Sequence, residues 1–179
     1  MIKIKWLALF LCSTLVVACT AFFLLAHKAD RQVDTAPANA PPLINKPLPA
    51  TNLVDSSGAR LEDPVLRRGK VVLVFVAPKC PACDTEIAFL KTVVSQHADV
   101  SFFGVVSFGV GGELPEGLEK DFPFKLYIDK EPRLAGALGL YRVPIKVFLE
   151  NGIIRKSWKG STTDEAEKLA FAKWLDDPN

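Results

Sequence analysis

Four residues constrain this chain most: Cys80-Pro81-Ala82-Cys83, set two residues behind the apolar run from Val71 to Ala77. A valine-rich run of that length reads as a central strand buried on both faces. After the motif, Cys83, Ile87, Leu90 and Val94 recur at i, i+4, i+7 and i+11. That spacing predicts a helix to about His97, with one apolar stripe against a sheet. A buried strand running into a helix that opens with two cysteines points to an α/β domain.

The same placement carries chemistry. Unpaired backbone N–H groups and the positive end of the dipole at a helix N-terminus stabilise a thiolate. Cys80 is therefore the candidate nucleophile, and the adjacent Lys79 lowers its pKa further. Pro81 suits the first helical turn, where its missing N–H costs nothing. Cys83 falls on the apolar stripe and is expected to be buried, which suits a resolving thiol. The alternatives for the pair are a structural disulfide, or two thiolates holding copper or zinc. A zinc site would need two more ligands, and His27 and His97, the two histidines, do not stand in ligand spacing. One close pair is also too few for the disulfide framework of a small secreted scaffold.

Glu86 lies three residues beyond Cys83, bordering the stripe. It reads equally as a partly buried base able to take the proton of Cys83 and as a solvated helix acid. Asp84 reads as a partner of the helix dipole. Pro144 precedes an apolar strand, where a proline suggests an edge or a special bond such as a cis peptide.

The remaining pattern completes one domain. Leu53 to Leu61 reads as a short hairpin turning at Gly58, and Arg67 to Lys70 as a polar turn. Val100–Phe108 and Phe124–Asp129 read as strands, with a helical turn near Glu116–Lys120 between them. A short helix is expected over Pro132–Leu140. Val143–Leu149 and Gly152–Trp158 form a hairpin about Asn151-Gly152. Thr162 with Glu165 resembles a capping box opening a last helix to about Leu175. Gly109, Gly111 and Gly112 are not followed by Lys-Ser/Thr, so they do not make a phosphate loop.

From Trp6 to Ala26 the chain is almost wholly apolar, long enough to span about 30 Å of hydrocarbon as a helix. Lys3 and Lys5 precede it and orient the remainder outward. Residues 1–26 are thus expected to be a signal anchor, with a cleaved signal peptide and a lipoprotein modified at Cys19 as alternatives. Cys12 reads as a small apolar residue of the span. Residues 27–49, with prolines at 37, 41, 42, 47 and 49, are expected to be an extended linker to a domain over 50–179. The net charge of +2 is accounted for by Lys3 and Lys5. The neutral remainder offers no footprint for nucleic acid.

From about Leu48 onward the sequence resembles membrane-anchored extracytoplasmic thiol–disulfide oxidoreductases of the TlpA-like type, in the redoxin branch of the thioredoxin superfamily. The residues carrying the likeness are Asn52–Leu61, Gly69-Lys70, Cys80-Pro81-Ala82-Cys83, Glu86, Phe122-Pro123 with Asp129, Val143-Pro144 and Asn151-Gly152. The resemblance implies a thioredoxin-like α/β fold, a mixed central sheet flanked by helices. It implies a redox-active Cys80–Cys83 disulfide, with no cofactor and no metal. It implies that Pro144 is cis and binds the substrate chain together with Val143 and Pro81, and that Glu86 tunes proton transfer. Expected partners are exported proteins with disulfides or thiols, such as apocytochrome c, and a thiol protein in the membrane that donates electrons. The domain would then lie on the periplasmic side of the cytoplasmic membrane.

Three departures stand out. Ala77-Pro78-Lys79 replaces the family's aromatic and small residues before the first cysteine, Ile145 follows Pro144 in place of Thr or Glu, and Val74 stands where cytoplasmic thioredoxins bury an acid. A reductase is the leading expectation, because no histidine between the cysteines stabilises the reduced thiolate. An oxidant or isomerase of the same fold, a peroxidase and a metal chaperone are the alternatives. Peroxidase chemistry wants Thr or Ser where Ala77 stands.

Overall fold

The computed structural model describes residues 43–107, 113–115, 117–130 and 133–176. The apolar run 6–26, with Cys12 and Cys19, lies outside the described residues, as does most of the expected linker. Among the described residues no helix is long and apolar enough to cross a membrane.

Six strands form one mixed sheet: β1 Leu53–Val54, β2 Lys70–Val76, β3 Val100–Val106, β4 Leu126–Asp129, β5 Ile145–Glu150 and β6 Ile153–Lys159. Their order is β1-β4-β3-β2-β5-β6. β2, β3 and β4 run parallel, while β1, β5 and β6 are antiparallel to their neighbours. Helices are α1 Asp63–Leu66, α2 Pro81–Gln96, α3 Arg133–Ala137 and α4 Glu165–Asp176, with a 3-10 turn over Leu118–Asp121.

β2 lies inside the sheet, and its side chains divide between two cores. Val71, Leu73 and Phe75 pack with Leu66 of α1 and Leu134 and Ala135 of α3. Val72, Val74 and Val76 pack with Ile87, Leu90 and Val93 of α2 and Phe171 and Leu175 of α4. Cover on both faces is why this strand is continuously apolar rather than alternating. The β5–β6 turn holds Asn151 at φ 51° and Gly152 at φ 76°, both positive as a two-residue hairpin requires.

Several expectations shift. The buried face of α2 includes Glu86 and Val93, while Val94 is half-buried. At about 100° per residue Glu86 and Val93 stand about 20° apart, so the face is turned toward the glutamate. The hairpin expected over Leu53–Leu61 is present: Asp55 donates its N–H to Ala59 O at 2.8 Å, Leu61 donates its N–H to Leu53 O at 2.9 Å, and Val54 bridges Arg60, while the other edge of β1 pairs with β4. The cap of α4 falls two residues later than Thr162 and Glu165. Asp164 accepts from the N–H of Glu167 at 2.8 Å, and Glu167 reaches back to the N–H of Thr163 at 2.7 Å. Thr162 is engaged in the interior. Helix α1, with Pro64 in its first turn, went unread in the sequence. Residues 45–48, inside the segment read as linker, hydrogen-bond along β6: Asn45 N–H to Ile154 O at 2.7 Å and Leu48 N–H to Gly152 O at 2.8 Å.

Candidate active site

Cys80 stands at the N-cap of α2 with extended backbone, four residues beyond the C-terminal end of β2, and Pro81 occupies the first turn. A disulfide joins Cys80 to Cys83, with their Cα atoms 5.2 Å apart. The N–H of Cys83 donates to Cys80 O at 2.8 Å and lies 3.2 Å from Cys80 Sγ. The first turn of the helix thus presents this N–H to the sulfur as well as to the carbonyl. Cys80 is half-buried and Cys83 is 1% exposed. Cys80 is thus the more accessible residue of the pair. Lys79, which precedes them, has φ 56° and is exposed.

The Val143–Pro144 peptide is cis. Register brings this segment to the same end of the sheet as the motif, since Ile145 pairs with Phe75. One further antiparallel step sets Pro144 level with Val76, where β2 ends. Val143 and Cys80 both border the apolar cluster that contains Cys83. Pro144 is buried, Val143 half-buried and Pro81 exposed.

Glu86 is fully buried, so it is not a solvated helix acid. Its Oε1 accepts from Lys146 Nζ at 2.8 Å and from Thr162 Oγ1 at 3.3 Å, and its Oε2 from the N–H of Thr162. Lys146, equally buried, lies in β5 two residues beyond Pro144. Its Nζ also donates to Gly160 O at 2.8 Å. Burial lowers the proton affinity of Lys146 below that of an ordinary lysine, and the neighbouring Glu86 works the other way.

Lys146 escaped the sequence reading. The available signal was a lone lysine within Ile145-Lys146-Val147-Phe148-Leu149: in a strand buried on both faces an ammonium has no route to water and needs an internal anion.

Among the described residues no three His, Cys, Asp or Glu side chains converge as a metal site. His97 follows the far end of α2, about 21 Å along the helix from Cys83, and its Nδ1 lies 2.9 Å from Val93 O.

No protein-family model matches the chain. It is 26% identical over 172 residues to the methylamine utilization protein MauD of Methylorubrum extorquens, covering 93% of this chain and 82% of that protein. A secreted Mycobacterium tuberculosis disulfide oxidoreductase, homologous to Escherichia coli DsbE, superposes with TM-score 0.58 at 20% identity, over 69% of this chain and 92% of the other. StoA of Bacillus subtilis superposes with TM-score 0.53 at 22% identity, over 72% and 98%. The fold shared with these structures is thioredoxin-like, a mixed sheet flanked by helices, and the Cys80–Cys83 pair lies at disulfide distance on it.

Proposed function

We propose that this chain, a thioredoxin-like thiol–disulfide oxidoreductase, works as a reductase of protein disulfides outside the cytoplasm. The observation that carries the reading is the Cys80–Cys83 disulfide, with Cys80 accessible at the start of α2 and Cys83 buried beneath it. The Cys80 thiolate attacks a substrate disulfide, forming a mixed disulfide and releasing one substrate thiolate. Cys83 then attacks the Cys80 sulfur, closing the intramolecular disulfide and releasing the second substrate sulfur reduced. Two electrons pass from the protein to the substrate, and a membrane thiol protein restores the dithiol. Pro144, Val143 and Pro81 bind the substrate chain beside the disulfide, and Glu86 takes part in the proton transfer of Cys83.

Residues 1–26 anchor the chain, and the segment that follows joins this anchor to the domain, which takes in residues 45–48. Support for this placement is the apolar run behind Lys3 and Lys5. Exported proteins, apocytochrome c among them, are the substrate class. The absence of a histidine between the cysteines favours the reducing direction, and Lys79 opposes it.

Equilibrating the full-length protein with glutathione or dithiothreitol at defined ratios measures its reduction potential. A value near or below about −250 mV is expected of a reductant. A value of about −120 to −180 mV would reverse the direction to oxidant or isomerase. Absence of a reversible couple would remove the oxidoreductase reading.

A further inference from the structure

Thiol–disulfide exchange does not in itself require a buried lysine. An apolar side chain could fill the place of Lys146 beneath α2, since exchanging a buried ion pair for packed hydrophobic residues is often neutral or stabilising. The pair that stands there is instead tied into the site from several sides. Lys146 Nζ lies 2.8 Å from Glu86 Oε1, 2.8 Å from Gly160 O and 3.4 Å from Thr162 Oγ1. Gly160 in turn donates its N–H to Pro144 O at 2.9 Å. One ammonium thus joins the turn of α2 beyond Cys83, the strand beyond Pro144, and the turn before α4.

The surroundings leave this charge little else to answer to. The rings of Trp158 and Phe171 stand 5.8 and 5.2 Å from Nζ, and Val74 is its cross-strand neighbour in β2. Among the described residues, Glu86 and, more weakly, Glu167 of α4 are the carboxylates acting on it, with the hydroxyl of Thr162 beside them.

We propose that Lys146 is a positioning residue for the redox couple: through Glu86 and Gly160 it holds the Cys83 turn and the Pro144 segment in one arrangement, and the charge of the Lys146–Glu86 pair is coupled to the oxidation state of Cys80–Cys83. This rests on the oxidoreductase reading above. In the release step the Cys83 S–H bond breaks, the Cys83–Cys80 S–S bond forms, and the Cys80–substrate S–S bond breaks. The electron pair leaves on the substrate sulfur, which takes a proton as a thiol. A thiolate forming at Cys83 meets the field of the buried pair one turn further along the helix, where little water screens it. Removing the pair removes that field, so the potential and the rate of release both register its loss.

The test compares the full-length wild type with Lys146→Met and with the double variant Glu86→Gln/Lys146→Met, which leaves no buried charge unpaired. Reduction potential is followed as a function of pH, and single-turnover mixing separates attack by Cys80 from release by Cys83. The expected result is that the double variant departs from the wild type in its potential–pH curve. Its release should also slow at least tenfold, with attack changed less than twofold. If Lys146→Met does not fold, the double variant is compared with Glu86→Gln alone, and an identical pH profile and release rate in the two would overturn the role of Lys146. A folded double variant with wild-type pH profile and release rate would overturn the proposal while leaving the oxidoreductase reading intact. Loss of the reversible couple in the wild type would overturn both.

Discussion

Lys146 Nζ sits 2.8 Å from Glu86 Oε1, a contact between β5 and α2 in which both side chains are fully buried. Removing one partner strands the other charge in the interior. Lys146→Met should therefore cost about 3–5 kcal/mol of stability. Adding Glu86→Gln should recover the greater part of that loss. Urea unfolding of the three proteins checks both, and a single variant as stable as the wild type would refute the pairing.

With Cys80 half-buried and Cys83 buried, the proposed function assigns attack to Cys80 and release to Cys83. Cys83→Ser should accumulate mixed disulfides with substrate through Cys80, visible as reducible adducts on non-reducing gels. Cys80→Ser should abolish exchange. Full reductase activity in Cys80→Ser would reverse the assignment.

Asp55 supplies a pH prediction. Its carboxylate pairs with Lys125 and accepts from the hydroxyl of Ser57 at 2.6 Å and from the N–H groups of Ser57 and Ala59, both at 2.9 Å. The bond from Lys125 first, then that from Ser57, hold its pKa well below the ordinary 3.8. A folded-state pKa below the unfolded one contributes stability that is present above the unfolded value and lost as pH falls through the folded one. Wild type should exceed Asp55→Asn in melting temperature at pH 5 to 7, and the gap should narrow below about pH 4. A gap that stays constant down to pH 2 would contradict the linkage.

Gly104 of β3 has no room for a side chain. A methyl group there would lie 2.2 Å from Leu126 Cδ2 and 3.0 Å from Phe124 Cε2, and Leu126 is fully buried. Gly104→Ala should cost about 1–3 kcal/mol through overpacking, with the fold retained. Chemical denaturation measures it, and a neutral result would mean that Leu126 repacks freely.

Much of the site was legible because its signals are local. The apolar run of β2, the motif at its end and the periodicity of α2 depend on residues close in sequence, as does the Asn151-Gly152 turn. Glu86 was ambiguous for the opposite reason. A helix repeats every 3.6 residues, so the edge of its buried stripe admits either orientation, and what decides is whether a counter-charge waits beneath. That counter-charge, Lys146, lies sixty residues away. Thr162 shows the same limit. Its spacing to Glu165 fits a capping box, but Asp164 and Glu167 cap α4 while Thr162 turns inward to Glu86.

The sequence by itself determined the strand–motif–helix junction, the buried position of Cys83, and the β5–β6 turn, because each follows from spacing and backbone preference within a few residues. Tertiary structure alone decided that the glutamate beyond Cys83 is sealed from water, that a lysine answers it, and that Gly160 links that lysine to Pro144. Burial and pairing of charge depend on which distant segments the sheet order brings together. Here β5 is inserted between β2 and β6, and that order carries Lys146 beneath the helix of the two cysteines.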